Sequence, residues 1–240
     1  VQLPLAPNGG GWGGTPTISY LLGDESWKSP PLESMYPNFF AHEIVHQYFG
    51  CIAEYGDDDR GMYISEGVTE FSSALIVDSF APSAFDTRAG FWLDDLKRIP
   101  PAQSISMASA TYDDRRVFFA FAYDKFPLFL KALREKIGDA RLRSIIRHFL
   151  NKFYLKDAYE FQDFLKQIEE ETAHDPETGK LVNSWIFQPG LSASESAGLL
   201  NLSVVLAEPT IAPRRAHPWA CLTPEFLRDH RRNSPAKIRN

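Results

Sequence analysis

His42 and His46 stand four residues apart with Glu43 between them, in the stretch HEIVHQYFG (42–50). On a helix, residues at that spacing lie one above the other on the same face. Both imidazoles can then aim a nitrogen at one ion, with the glutamate beside a water held there. The set suits zinc, which in catalytic sites takes three protein ligands and a water. The chemistry would be hydrolysis by metal-activated water. Two histidines do not complete such a site, so a third ligand must come from elsewhere in the chain.

Few positions qualify. Phe49 and Ile52 stand where an elongated His-x-x-Gly-x-x-His motif needs its glycine and third histidine. Glu54, two turns past His46 on a continued helix, is too far along the axis to share the ion. Asp57, Asp58 and Asp59 fall in GDDDRG (56–61), most simply a solvated loop. Glu66, in YISEGVTEF at the start of the next helical run, is within reach if the two helices form a hairpin, giving His2Glu. Glu70, one turn further, can accept the outer N–H of a ligand histidine and fix its tautomer. A purely structural zinc is the plainer alternative. Closed sites of that kind usually use cysteine, and neither Cys51 nor Cys221 is suitably placed beside these histidines.

The elements that must position these groups read as mainly helical. The breaker-rich segment 28–37 reads as a linker. A helix is expected over 38–55, with Asn38 as N-cap and an apolar stripe of Phe40, Ile44, Val45, Tyr48, Phe49 and Ile52. Helical patterns recur at 65–80, 83–98, 118–137, 139–153 and 158–172. Ser83 with Asp86 resembles a capping arrangement, Gly138 is a stop, and Pro189-Gly190 closes the helical region.

In front, NGGGWGG (8–14) reads as a flexible glycine loop and TISYLLG after it as a strand. Gly9-x-Gly11-x-x-Gly14 formally matches a dinucleotide fingerprint. Pro16 and the β-branched run behind it deny that motif the helix it must open. Behind the helices, 199–207 reads as a strand, and the Pro- and Arg-rich tail as a surface wrap or linker.

With 240 residues, 44% hydrophobic, the chain can bury a core of one or two domains. A net charge of -6 argues against nucleic acid as a partner. No apolar run approaches a membrane span, so the chain is expected to be soluble, whether cytoplasmic or periplasmic/secreted. Its two cysteines read as free thiols and leave the compartment open. A start at Val1 rather than methionine fits a piece of something longer.

HEIVHQYFG followed by YISEGVTEF resembles the gluzincin metallopeptidases, specifically the M1 aminopeptidase family. There a His-Glu-x-x-His helix is followed by Trp/Tyr-Phe-Gly and then Asn-Glu-Gly on the next helix. Residues 122–150 are similar to the family's Tyr-x-Lys-Gly helix and its successor, and SWIFQPGLS (184–192) to its Trp-x-x-Gln-Pro-Gly close.

The resemblance implies an α+β, mainly α, thermolysin-like catalytic domain over 1–192. Its small N-terminal β element would span 1–35 and its helical bundle 36–192, with 193–240 as an extension. It implies one zinc per chain on His42, His46 and Glu66, Glu43 as general base, Tyr123 as the hydroxyl that stabilises the oxyanion, and a peptide substrate. Three departures stand out. Nineteen residues rather than eighteen separate His46 from Glu66, and Phe126 replaces a glycine after Lys125. The family's Gly-x-Met-Glu-Asn strand corresponds to GGGWGGTPTISY, which has no acidic residue; Gly13 and Gly14 there would allow substrate backbone to approach. An aminopeptidase is therefore expected, with an endopeptidase or a non-catalytic binding domain as the alternatives.

Overall fold

The structure, a computed structural model, describes residues 10–14, 17–21, 32–99 and 104–190, with side chains from 37 onward. The organising element is helix α2 (Gly61–Asp78). It is buried on nearly every side and touches α1 (Leu32–Val45), α3 (Ala84–Lys97), α5 (Phe126–Ile137) and α7 (Phe161–Glu171). Val68, Phe71 and Ala74 supply its apolar surface, while Ser65, Thr69, Glu70 and Ser73 are buried on it as well.

The outer helices are amphipathic in the ordinary way. α6 (Asp139–Phe153) buries Leu142, Ile145, Phe149 and Phe153, and α7 buries Phe161, Phe164, Leu165 and Ile168, spacings that keep one face inward. The core between them is aromatic. Tyr63 meets Phe118 at 4.7 Å between ring centroids, and Phe149 meets Phe164 at 5.0 Å and Tyr159 at 5.2 Å.

Between α4 (Arg115–Ala120) and α5 lies a π turn, Phe121–Lys125, where the N–H of Phe126 reaches back five residues to the Phe121 carbonyl. Pro127 explains it. Proline has no N–H to give the fourth carbonyl back and its ring collides with that carbonyl, so the widened turn relieves both problems. α8 (Pro176–Val182), with Asp175 capping Thr178 N at 2.9 Å, continues into a second π turn, Asn183–Phe187, that buries Trp185.

Several expected boundaries move. Helix α1 runs from Leu32 to Val45 rather than over 38–55, so Asn38 is inside it and residues 32–37 of the expected linker form its first turns. The chain beyond Val45 turns, and Phe49 pairs with Ala53 in an isolated bridge. Glu54 is therefore off the helix, where its carbonyl accepts the N–H of Tyr159. The expected apolar stripe holds only in part: Val45 and Phe49 join the core, whereas Phe40, Ile44 and Tyr48 are 39%, 50% and 48% exposed. The buried positions of α1 combine apolar Phe39, Ala41 and Val45 with the polar His42 and Glu43.

Ser83 adopts φ 76 and makes no side-chain cap. Gly138, at φ 87, does end α5. The GDDDRG segment is tied down rather than loose. Gly56 N donates to Tyr159 O at 2.8 Å, Asp58 N to Glu160 Oε2 at 3.3 Å, and Arg60 joins Asp58 Oδ1 to Ala108 O. The π turn and α8 were not foreseen as such.

At the front, β1 (Gly10–Gly14) pairs antiparallel with β2 (Thr17–Leu21), Gly13 opposite Ile18 and Gly14 opposite Thr17, and β1 meets α1. Residues 10–14 of the expected glycine loop thus form a strand. A two-stranded ribbon does not make the β part expected over 1–35, most of which lies outside the described residues. So do the 193–240 extension, the strand at 199–207 and Cys221.

Candidate active site

Helix α1 carries His42 in its last turn. His46 follows just past the helix end, its N–H still bonded to the His42 carbonyl at 3.1 Å, so the two imidazoles stay one turn apart. Helix α2 brings Glu66 to them. Oε2 of Glu66 lies 3.1 Å from His46 Nε2 and 3.3 Å from His42 Nε2, and the two ring nitrogens are 2.8 Å apart. These three side chains form a group able to hold a metal ion.

What the outer ring nitrogens do decides what the inner ones can be. Nδ1 of His46 donates to the Phe49 carbonyl at 2.9 Å. Nδ1 of His42 stands 3.0 Å from Glu70 Oε1, a charge contact rather than a straight hydrogen bond. With protons on both Nδ1 atoms, each neutral ring presents a bare Nε2. Two lone pairs and a carboxylate oxygen then meet with no donor among them. Such a cluster is stable only around a positive charge, a proton or a cation, and imidazole nitrogen with carboxylate oxygen is a zinc donor set.

The electrostatics express the same demand. Burial lowers the His42 pKa, but Glu66 and Glu70 outweigh it and raise it to about 10. Burial likewise works to raise the Glu66 carboxyl, and His46 and His42 instead hold it far below the usual carboxylate range. Glu70 is held at about 2 against its burial, chiefly by Arg88 and then by His42. Glu43, 1% exposed, is pushed up by burial, with His42 and His46 pulling the other way. A buried carboxyl whose pKa is raised, beside a metal-competent cluster, is placed to accept and return a proton.

Two close approaches shape the site. Gly50 sits at φ 100, a conformation that residues with side chains rarely adopt, and a Cβ there would lie a tight 3.0 Å from Ser65 Oγ. Gly67, beside Glu66, is pressed against the π turn, where a Cβ would lie 2.5 Å from Phe126 Cδ1 and 3.0 Å from the Ala122 carbonyl. That contact seats the π turn on α2 and brings Tyr123 to the site. Its ring stacks on that of His42 with centroids 6.0 Å apart and planes 20° from parallel. Phe126, an unexpected residue after Lys125, is fully buried in this contact.

His42, Glu43, His46, Glu66, Glu70 and Tyr123 are thus gathered in one region, while Gly13 and Gly14 lie on the ribbon that meets α1. Arg88 and Trp92 were missed. Both donate to Glu70 Oε2, at 2.7 Å from Arg88 Nη2 and 3.2 Å from Trp92 Nε1. The one sequence signal was an arginine among the inward positions Phe85, Ala89 and Trp92 of α3.

A helical scaffold that presents His-Glu-x-x-His from one helix and a glutamate from the next has the donor set of the zinc hydrolases. Residues 14–185, more than half of the 240, match the Peptidase family M1 domain. The chain belongs to peptidase family M1. It is similar to aminopeptidase M1-D of Oryza sativa subsp. japonica, 26% identical over 178 residues, which is 71% of this chain and 20% of that protein. Aminopeptidase N of Lactobacillus helveticus is 26% identical over 181 residues, 72% of this chain and 21% of that one.

In fold it is similar to an M1 zinc metallopeptidase from Deinococcus radiodurans, with a TM-score of 0.61 at 18% identity over 80% of this chain and 39% of that one. The chain spans about a fifth of the length of the curated relatives it matches. Among the described residues, no helix is long and apolar enough to cross a membrane.

Proposed function

We propose that this chain is the catalytic domain of a zinc-dependent peptidase acting on peptide N-termini. The observation that carries the reading is the convergence of His42 Nε2, His46 Nε2 and Glu66 Oε2 within about 3 Å of one another, three acceptors that require a cation. His42, His46 and Glu66 would hold one zinc per chain. Bound there, zinc lowers the pKa of a water towards about 7 and polarises the scissile carbonyl.

The protein's own groups do the rest. Glu43, kept basic by its burial, takes the proton of the attacking water and passes it to the departing amine. Tyr123 donates its hydroxyl to the oxygen that becomes negative as the carbonyl turns tetrahedral. Glu70 keeps His42 in the tautomer that offers Nε2. Among the described residues β1 has a strand partner only on its β2 side. Its other edge can receive an extended peptide, with Gly13 and Gly14 allowing close approach.

Support for N-terminal trimming comes from the names of the relatives, which are aminopeptidases. The acid-free glycine stretch at 9–14 favours the second reading, cleavage within the chain. The test is mass spectrometry of a diverse peptide mixture incubated with the zinc-loaded protein, with Glu43→Gln as control. Ladders of N-terminally shortened peptides, absent with Glu43→Gln, are expected. Internal cuts would replace the exopeptidase reading with the endopeptidase one, and equal activity in Glu43→Gln would sink the role of Glu43.

A further inference from the structure

The two oxygens of Glu70 face different helices. Oε1 lies 3.0 Å from His42 Nδ1 on α1. Oε2 receives three N–H groups from α3: Arg88 Nη2 at 2.7 Å, Arg88 Nε at 3.1 Å and Trp92 Nε1 at 3.2 Å. A carboxylate gripped by three donors on one oxygen cannot turn, and that grip is what keeps the other oxygen facing the histidine. The arginine side chain is 12% exposed and also lies 5.9 Å from the Trp92 ring centroid, so it too has little freedom.

We propose that Arg88, supported by Trp92, is a positioning residue for the metal centre: it locks Glu70 so that His42 presents Nε2 to the ion. This rests on the reading of His42, His46 and Glu66 as zinc ligands. A buried arginine can also act by two simpler routes, and they predict different signs. As a fold-holding ion pair alone, its loss lowers stability and leaves the zinc affinity of the folded protein unchanged. As a nearby positive charge alone, it repels zinc, and its removal tightens binding. Positioning predicts the reverse: removing it weakens binding.

The zinc dissociation constant of the whole 240-residue chain, stripped of metal and titrated against a competing fluorescent chelator, separates these without any substrate. Arg88→Met is expected to weaken zinc binding about tenfold or more, as loss of a group that orients a ligand typically does. Arg88→Lys, which keeps the charge but not the two-nitrogen grip, should lose less. Because Arg88 acts through Glu70, adding Arg88→Met to Glu70→Gln should cost almost nothing further.

Unchanged or tighter binding in Arg88→Met overturns the proposal, as does an equal loss in the Glu70→Gln background. If Arg88→Met does not fold, Trp92→Phe removes one donor while keeping an aromatic ring. It should weaken zinc a few-fold, again only when Glu70 is intact. A wild-type chain that folds but binds no zinc overturns the ligand assignment itself, and this proposal with it.

Discussion

Under the proposed function, a proton and a metal ion would compete for the same three atoms, His42 Nε2, His46 Nε2 and Glu66 Oε2. Glu66 and Glu70 hold the His42 pKa at about 10 despite its burial, so at neutral pH a bound zinc must displace a proton from that ring. Zinc affinity is therefore expected to weaken about tenfold for each pH unit below about 10, from this one proton alone. Chelator competition at several pH values measures it, and a flat profile would contradict the His42 assignment. Stability of the metal-free protein runs the other way. With a folded value above 6.5, the contribution from His42 is full below that pH and is lost as pH rises through about 10. For the stacked tyrosine, Tyr123→Phe should lower turnover about 10²–10³-fold with little change in KM, read by steady-state kinetics. At this scale the sequence was informative where partners lie close along the chain. His42, Glu43, His46 and Glu66 were readable from spacing, whereas Arg88 grips a residue on another helix and its letter alone says nothing of that.

Gly67 and the π turn are one device seen from two elements. A Cβ at 67 would strike Phe126 and the Ala122 carbonyl, so Gly67→Ala should cost about 1–3 kcal/mol in stability and displace the turn that carries Tyr123. Activity should fall further than thermal stability does, and Phe126→Leu should restore part of both; denaturant melts and kinetics on the pair of variants check this. Pro127 makes the turn necessary, yet the apolar run over 118–137 reads as one uninterrupted helix. The hydrophobic pattern reports burial and cannot see a single extra residue per turn. The same limit explains α1, where polar His42 and Glu43 are buried beside Phe39, Ala41 and Val45 while Phe40 and Ile44 are exposed, so its apolar letters do not mark one inward face. α6, with an ordinary apolar stripe and Gly138 before it, was readable to the residue.

Taken whole, the site joins α1 to α2, and an ion bound only by the folded form stabilises that form. At a free zinc concentration about a hundred times its Kd the gain is about 2.7 kcal/mol, or roughly 5–10 °C in Tm for a chain of this size. Chelation should remove that increment and added zinc restore it, as seen by calorimetry. A Tm indifferent to zinc would argue against a site that recognises the native state. The brace on the segment between the two ligand helices adds an order in time. Tyr159 and Glu160 fasten the backbone at Gly56 and Asp58, but they are encoded roughly ninety residues after Glu66. At about 5–20 residues per second they leave the ribosome some 5–20 s later. Throughout that interval the three proposed zinc ligands have been synthesised, while the backbone at Gly56 and Asp58 still awaits these two partners.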